Sequence, residues 1–236
     1  MDKDRFIIID ENLKRINEDI CETAVKAGRK PEDIRLMAVT KTVEPVYINH
    51  ALSCGVNLIG ENKVQEFLAK REELELEHCE VHLIGHLQTN KVRQIVGKVN
   101  LIQSVDSVKI AKEIGKRSVE NNQITDILLE VNVAGEESKF GFQAERAAEA
   151  AYEISEINGV HICGLMSVPP VCGDGRQSRC FFSNMHRLFI DICEKRIDNV
   201  TMNVLSLGMS GDYKQAILEG SNLIRLGSAV FGDRIY

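Results

Sequence analysis

No two of the seven cysteines in this 236-residue sequence stand at CxxC or CxxxC spacing. Their number is odd, and they are scattered at positions 21, 54, 79, 163, 172, 180 and 193. That pattern argues against a disulfide framework and against a structural zinc site, and it fits reduced thiols in a cytoplasm. Long apolar runs are also missing. Phe6-Ile7-Ile8-Ile9 is far too short for a membrane span or for the core of a signal peptide. A cytoplasmic protein without a membrane partner is expected. No low-complexity stretch calls for a disordered tail. Nor is there an excess of basic charge. The formal net charge is −6, which speaks against nucleic acid as the main partner and reads as ordinary solubility.

What is present suits one large core. Hydrophobic residues make up 44% and charged residues 27% of the chain, and the length is that of a single α/β barrel, roughly 250 residues. The first thirty residues read as a helix. Ile9, Leu13, Ile16 and Ile20 recur at helical spacing among Lys, Arg, Glu and Asp. Gly28 then offers a stop, with Pro31 close behind. After that, short β-branched runs alternate with amphipathic segments. The runs are Ile34–Lys41, Asn57–Asn62, Val81–His86, Leu101–Asp106, Ile124–Val133, Val160–Val168, Met202–Ser210 and Asn222–Gly227. Helices are expected between them at Glu44–Cys54, Lys63–Leu76, Thr89–Gly97, Val108–Asn121 and Gln143–Ile157. A Gly/Ser-rich loop, Val171–Ser178, widens the spacing after the sixth run.

Eight β/α alternations behind one extra helix predict a closed parallel (β/α)₈ TIM barrel, a single domain over residues 1–236. The rival is an open doubly wound sheet, which usually carries a glycine-rich turn after its first strand. Here that strand ends Val39-Thr40-Lys41-Thr42, without glycine.

In a barrel, chemistry sits at the carboxyl ends of the strands. These ends carry Lys41, Glu61, Asn62, His86, Ser104, Asp106, Asn132, Met166, Ser167, the Ser206–Ser210 segment, Gly227 and Ser228. Alternation puts Met37, Val39 and Lys41 on one face. If that face looks inward, Lys41 enters the mouth partly desolvated, where a neutral amine can act as a Schiff-base nucleophile. A lysine snorkelling to water is the plain alternative. Arg225 lies mid-strand, and an inward guanidinium needs a partner, either a structural ion pair or a ligand acceptor. The last two strands end in Gly208-Met209-Ser210-Gly211 and Gly227-Ser228. Small residues there, followed by a short helical turn, suit the phosphate site recurrent in such barrels. One lysine, one arginine and one phosphate cradle match the aldehyde, ring nitrogen and phosphate of pyridoxal 5′-phosphate (PLP).

The sequence resembles the pyridoxal phosphate homeostasis proteins, single-domain relatives of the alanine racemase barrel. The resemblance rests on AVTKT (38–42), GENKVQE (60–66), HLIGHLQTNK (82–91), SVD (104–106), EVNVAGEESKFGF (130–142), GLM (164–166), LSLGMSGDY (205–213) and IRLGSAVFG (224–232). It implies a PLP-binding barrel in which Lys41 forms the internal aldimine. Ser210, Gly227 and Ser228 hold the phosphate, Arg225 meets the pyridine nitrogen, and Met166, Asn62, His86 and Ser206 line the cofactor. The pattern departs at Val43-Glu44, where a basic residue is expected, and at Pro169–Arg179, unusually rich in Gly, Pro and Cys. Lys139 lies in a stretch like the family's loop after strand 5, a candidate lid or transit site, although its neighbours read as a charged surface loop. His82, His86 and Asp106 do not suggest a metal, because residues four apart on a strand do not converge on one ion.

Two functions remain open, and both need Lys41. One is a carrier or buffer of PLP that serves apo-enzymes, as a monomer or weak dimer. The other is a PLP enzyme such as an amino-acid racemase. A two-base racemase needs a second proton donor opposite the lysine. The resemblance places that tyrosine in an added C-terminal domain, and the sequence ends at Tyr236 just after the last barrel motif. Tyr47, Tyr152 and Tyr213 are the other tyrosines. An arginine at the pyridine nitrogen would also keep it unprotonated, a poorer electron sink. The expectation is therefore a carrier without efficient catalysis.

Overall fold

A computed structural model describes residues 3–136, 139–170 and 175–232. Its strands are β1 (Arg35–Val39), β2 (Leu58–Glu61), β3 (Glu80–Leu83), β4 (Leu101–Val105), β5 (Thr125–Asn132), β6 (Val160–Met166), β7 (Val200–Ser206) and β8 (Leu223–Leu226). Each pairs in parallel with the next, and β8 returns to β1 with Met37 opposite Arg225. The sheet is therefore a closed barrel, and every strand lies inside one of the runs read from the sequence except at Glu80 and at the start of β7. One further two-residue strand, Phe142–Gln143, pairs with the end of β5. It follows a turn and has too few residues to show a period.

The surrounding helices are α1 (Lys3–Lys26), α2 (Pro45–Ser53), α3 (Val64–Lys70), α4 (Val92–Ile95), α5 (Val108–Glu120), α6 (Ala147–Ser155), α7 (Gly175–Glu194), α8 (Tyr213–Leu218) and α9 (Ser228–Phe231). The α1 stripe of Ile9, Leu13, Ile16 and Ile20 is buried. Each such side chain contributes about 1.5–3 kcal/mol by leaving water. Polar contacts fix where α1 sits: Asn12 Nδ2 donates to the Val230 carbonyl at 3.1 Å, and Tyr213 Oη donates to Asp19 at 2.6 Å. The extra helix thus braces the last β/α units from outside. At α5, Ser107 accepts the Ile110 N–H and caps the first turn.

The expected loop Val171–Ser178 is shorter than the sequence suggested. Residues 171–174 lie outside the described part, and α7 already begins at Gly175. Buried Phe182, Met185 and Ile192 explain the helix, since its apolar stripe outweighs the poor propensity of Gly and Ser at its start.

Most of the core lies between the strands and the helices. The barrel interior is different. It holds two small apolar clusters, Leu101/Leu128/Cys163/Met166 and Met37/Leu58/Leu223, together with buried His82, Gln103, Ser206 and Arg225.

Candidate functional site

The barrel mouth is organised first around the end of β1. Met37 is inside, Val39 and Lys41 line a cavity at the carboxyl ends of the strands, and Thr40 turns outward. Thr40 Oγ1 donates to Glu61 Oε1 at 2.5 Å, and Lys70 Nζ donates to the Thr40 carbonyl at 2.8 Å. Lys70 also pairs with Glu61 at 2.8 Å and with Glu66 at 3.2 Å. Burial pushes the Glu61 carboxyl above its ordinary value, and the Lys70 ammonium opposes that. Thr42 then adopts φ +61°, a rare conformation for a β-branched residue. Its N–H donates to Glu66 Oε1 at 2.5 Å. Glu61, Glu66 and Lys70 together clamp the backbone on both sides of Lys41. The sequence reading passed over Glu66 and Lys70; their i,i+4 spacing on α3 was the available signal.

The cavity measures about 350 Å³, within the range of small-molecule sites. It brings together Lys41, Asn62, Ser210, Arg225, Gly227 and Ser228. Asn62 carries a buried Oδ1 with no hydrogen-bond partner among the described residues, an acceptor left for a ligand. Gly85 lets the segment after β3 pass close to it, because a Cβ there would lie 2.2 Å from the Asn62 carbonyl oxygen. Ser210 Oγ accepts the Ala229 N–H at 3.2 Å, which frees its own proton for a ligand oxygen. Gly227 and Ser228 open α9, whose first N–H groups have no carbonyl within the turn. Gly208 shapes the loop before Ser210. It has φ +88°, and a Cβ would lie 2.6 Å from that of Ala216. Among the described lining residues there are two cations, Lys41 and Arg225, and no carboxylate.

Arg225 is 4% exposed. Nη1 donates to the Ser206 carbonyl and to Ser206 Oγ, both at 2.6 Å, and Nη2 donates to the Ser167 carbonyl at 2.7 Å. Burial lowers its pKa to about 10, with Glu130 and Asp212 opposing. It therefore keeps its charge at neutral pH.

Ser206, Met166 and His86 are not in the lining. Ser206 is fully buried and reaches the cavity only through Arg225. Met166 packs in the interior cluster with Leu101, Leu128 and Cys163. His86 is exposed at the rim, where Nδ1 lies 2.9 Å from Asp106 Oδ2 and the ring stacks on Phe140 at 3.7 Å. Phe140 belongs to the segment after β5. In the same segment Lys139 pairs with Glu136 at 3.3 Å and donates to the Val168 carbonyl at 3.4 Å. Glu137 and Ser138 of that stretch lie outside the described residues.

Glu130, on β5, has a carboxyl raised to about 7, by burial first and then by Asp106, with Arg225 opposing. Its unfolded value is near 4.5. Between these values the native state binds the extra proton, so this group's contribution to stability falls as pH rises from 4.5 to about 7. Glu130→Gln should therefore match the wild type below that window and exceed it above, by up to about 3 kcal/mol. Denaturant melts at both ends of the window check this; a constant difference across pH would contradict it.

The other candidates fall elsewhere. Tyr213 is held by Asp19, and burial pushes its phenol up. Tyr47 contacts Phe6 and Arg5 on the outer face, and Tyr152 is exposed on α6. Tyr236 lies outside the described residues. Among the described residues, Asp10/His50/Cys54 and Asp126/His161/Cys163 each gather three potential metal-ligating atoms. The sequence reading had neither, since distant segments supply each trio.

Comparison with known proteins adds the following. Residues 12–235 match the family model described as alanine racemase, N-terminal domain. The pyridoxal phosphate homeostasis protein of Aquifex aeolicus (strain VF5) is 41% identical over 96% of this chain and 98% of its own length. A crystal structure of an unknown protein from Bifidobacterium adolescentis superposes with a TM-score of 0.93 at 35% identity, covering 98% of this chain and 97% of the other. PipY of Synechococcus elongatus PCC7942, solved with PLP bound, superposes with a TM-score of 0.82 at 28% identity, covering 95% of this chain and all of that one.

Proposed function

This chain belongs to the alanine racemase N-terminal domain family and, within it, to the pyridoxal phosphate homeostasis proteins, and from that premise we propose that it binds PLP in the barrel mouth and serves as an intracellular carrier of the cofactor. The observation that carries this reading is the cavity wall. It holds an amine at Lys41, a guanidinium at Arg225, a hydroxyl and backbone N–H cradle at Ser210, Gly227 and Ser228, and no carboxylate among the described lining residues. An anionic ligand with an aldehyde and a ring acceptor suits that set. When bound, PLP supplies an electrophilic aldehyde on an electron-withdrawing ring.

The residues divide the work by position. Lys41 supplies the amine for covalent attachment, its place set by the Glu61–Lys70–Glu66 clamp. Ser210, Gly227 and Ser228 hold the phosphate, the loops after the last two strands being where these barrels bind it. Asn62 offers its buried Oδ1 to a polar substituent of the ring. Arg225, charged at neutral pH, donates to the ring nitrogen and keeps it unprotonated, which weakens the ring as an electron sink. Ser206 acts through Arg225, Met166 through the packing beneath the cavity, and His86 at the rim.

Carriage fits this wall better than racemisation. No described tyrosine lines the cavity, and Tyr213 is occupied by Asp19. Apo-enzymes that require PLP are the proposed recipients. The test incubates PLP-loaded protein with L- and D-alanine and other amino acids in deuterated water, then follows chirality and α-proton exchange. In parallel, recovery of a PLP-requiring apo-enzyme is compared with that given by free PLP at equal concentration. Recovered activity without efficient inversion is expected. Saturable inversion of one amino acid, lost in Lys41→Ala, would make the protein an enzyme.

A further inference from the structure

Arg225 stands at one end of an unbroken chain of buried polar side chains that runs down the barrel interior. Its guanidinium can only donate, so Ser206 Oγ, 2.6 Å from Nη1, accepts. The Ser206 hydroxyl then donates to Gln103 Oε1 at 2.7 Å. That contact orients the amide and turns Gln103 Nε2 to His82 Nδ1 at 2.9 Å. An amide NH₂ can only donate, so Nδ1 accepts and carries no proton. The ring proton therefore sits on Nε2, 3.2 Å from Glu80 Oε2. Glu80 Oε1 meets Arg35 Nη2 at 2.9 Å. From Arg225 to His82 every donor points the same way, from a cation at the mouth to the Glu80 anion at the amino-terminal end of the strands, where Arg35 donates from the other side. His82, Gln103 and Ser206 are at most 1% exposed, so water does not substitute for a missing link.

We propose that His82 and Gln103 are positioning residues for Arg225: they complete a one-way hydrogen-bond chain to Glu80 that fixes how the guanidinium meets the cofactor ring. The inference rests on the PLP reading above. The chain has a single alternative arrangement. A second proton on His82 puts N–H on Nδ1, and the Gln103 amide must turn over to meet it. The turned amide then donates to Ser206 Oγ beside Arg225 Nη1, and the Ser206 proton, facing a donor where Gln103 Oε1 stood, loses its acceptor. The charged groups around His82 are Glu80 on its own strand, Arg35 from β1 and Asp126 from β5. Burial is the largest influence and disfavours the charged ring, so the neutral chain persists at neutral pH.

Two measurements test this. In ¹⁵N NMR of the ligand-free wild type near neutral pH, His82 should be one neutral tautomer with its proton on Nε2. A proton on Nδ1 would overturn the proposal. Dissociation constants for PLP and pyridoxal are then compared among variants. Gln103→Leu and His82→Leu should weaken both ligands by a similar factor, about tenfold, because the lesion lies at the ring end; competition by inorganic phosphate should not change. His82→Asn, whose side chain can still accept at the Nδ1 position, should restore most of the loss, whereas His82→Gln, which keeps only the donor to Glu80, should not. This pair decides the matter if Gln103→Leu does not fold. Wild-type affinity in folded Gln103→Leu, or equal behaviour of the Asn and Gln variants, would overturn the proposal. A wild type that binds neither PLP nor pyridoxal would overturn the cofactor reading instead, while the NMR result would still report on the chain.

Discussion

Lys41→Ala is expected to abolish covalent attachment of PLP and to weaken retention at least about a hundredfold, ~2.7 kcal/mol. The reason lies in how the residue is presented. β1 delivers Lys41 to the cavity wall, and the turn after it is held in place at Thr42 and Thr40 by Glu66, Glu61 and Lys70. An amine fixed in that way needs little reorganisation to meet an aldehyde seated by the phosphate cradle. The rest of the wall survives the substitution, so residual binding through Ser210, Gly227, Ser228 and Arg225 should persist without the visible absorbance of the lysine adduct. Equilibrium dialysis, with spectra recorded on the same samples, separates the two effects. Unchanged affinity and unchanged spectra would remove Lys41 from the site.

The second large effect is expected at the opposite end of the ligand. Ser210→Ala combined with Ser228→Ala should weaken PLP strongly and free pyridoxal little. A hydrogen bond to a charged group is worth about 1.5–3 kcal/mol, so losing both hydroxyls should cost PLP two orders of magnitude or more. Ser210 also accepts the Ala229 N–H, and its loss loosens α9 for both ligands. Comparing PLP with pyridoxal cancels that shared part. Equal losses for the two ligands would show that these serines do not read the phosphate. This pattern is the converse of that expected for Gln103→Leu, where both ligands weaken together.

Much of this was legible in the sequence because it depends on local pattern. The α1 stripe, the eight β-branched runs and the alternation that puts Met37, Val39 and Lys41 on one face each follow from a period of 3.6 or 2. Arg225 drew attention because a cation in mid-strand must find a partner. The polar interior was less legible. His82 and Gln103 are also polar residues in mid-strand, yet their meaning lies in which strands stand side by side in the closed barrel. Gln103 and Ser206 are separated by 103 residues, and no local period reports that contact. His82 was weighed only as a metal ligand beside His86. Thr42 escaped notice for another reason: a positive φ at threonine runs against its propensity and is held by Glu66 from α3. The start of α7 was obscured by Gly and Ser near residue 175, where a buried stripe further along the helix decides the outcome.

The central claim is that this barrel holds PLP through Lys41. Its most direct test is to saturate the wild-type protein with PLP, reduce it with borohydride, digest it and locate the pyridoxyl group by mass spectrometry. The account predicts the label on Lys41, with loss of label when pyridoxal phosphate is omitted before reduction. A label found on Lys139 or on other lysines, with Lys41 unmodified, would contradict it.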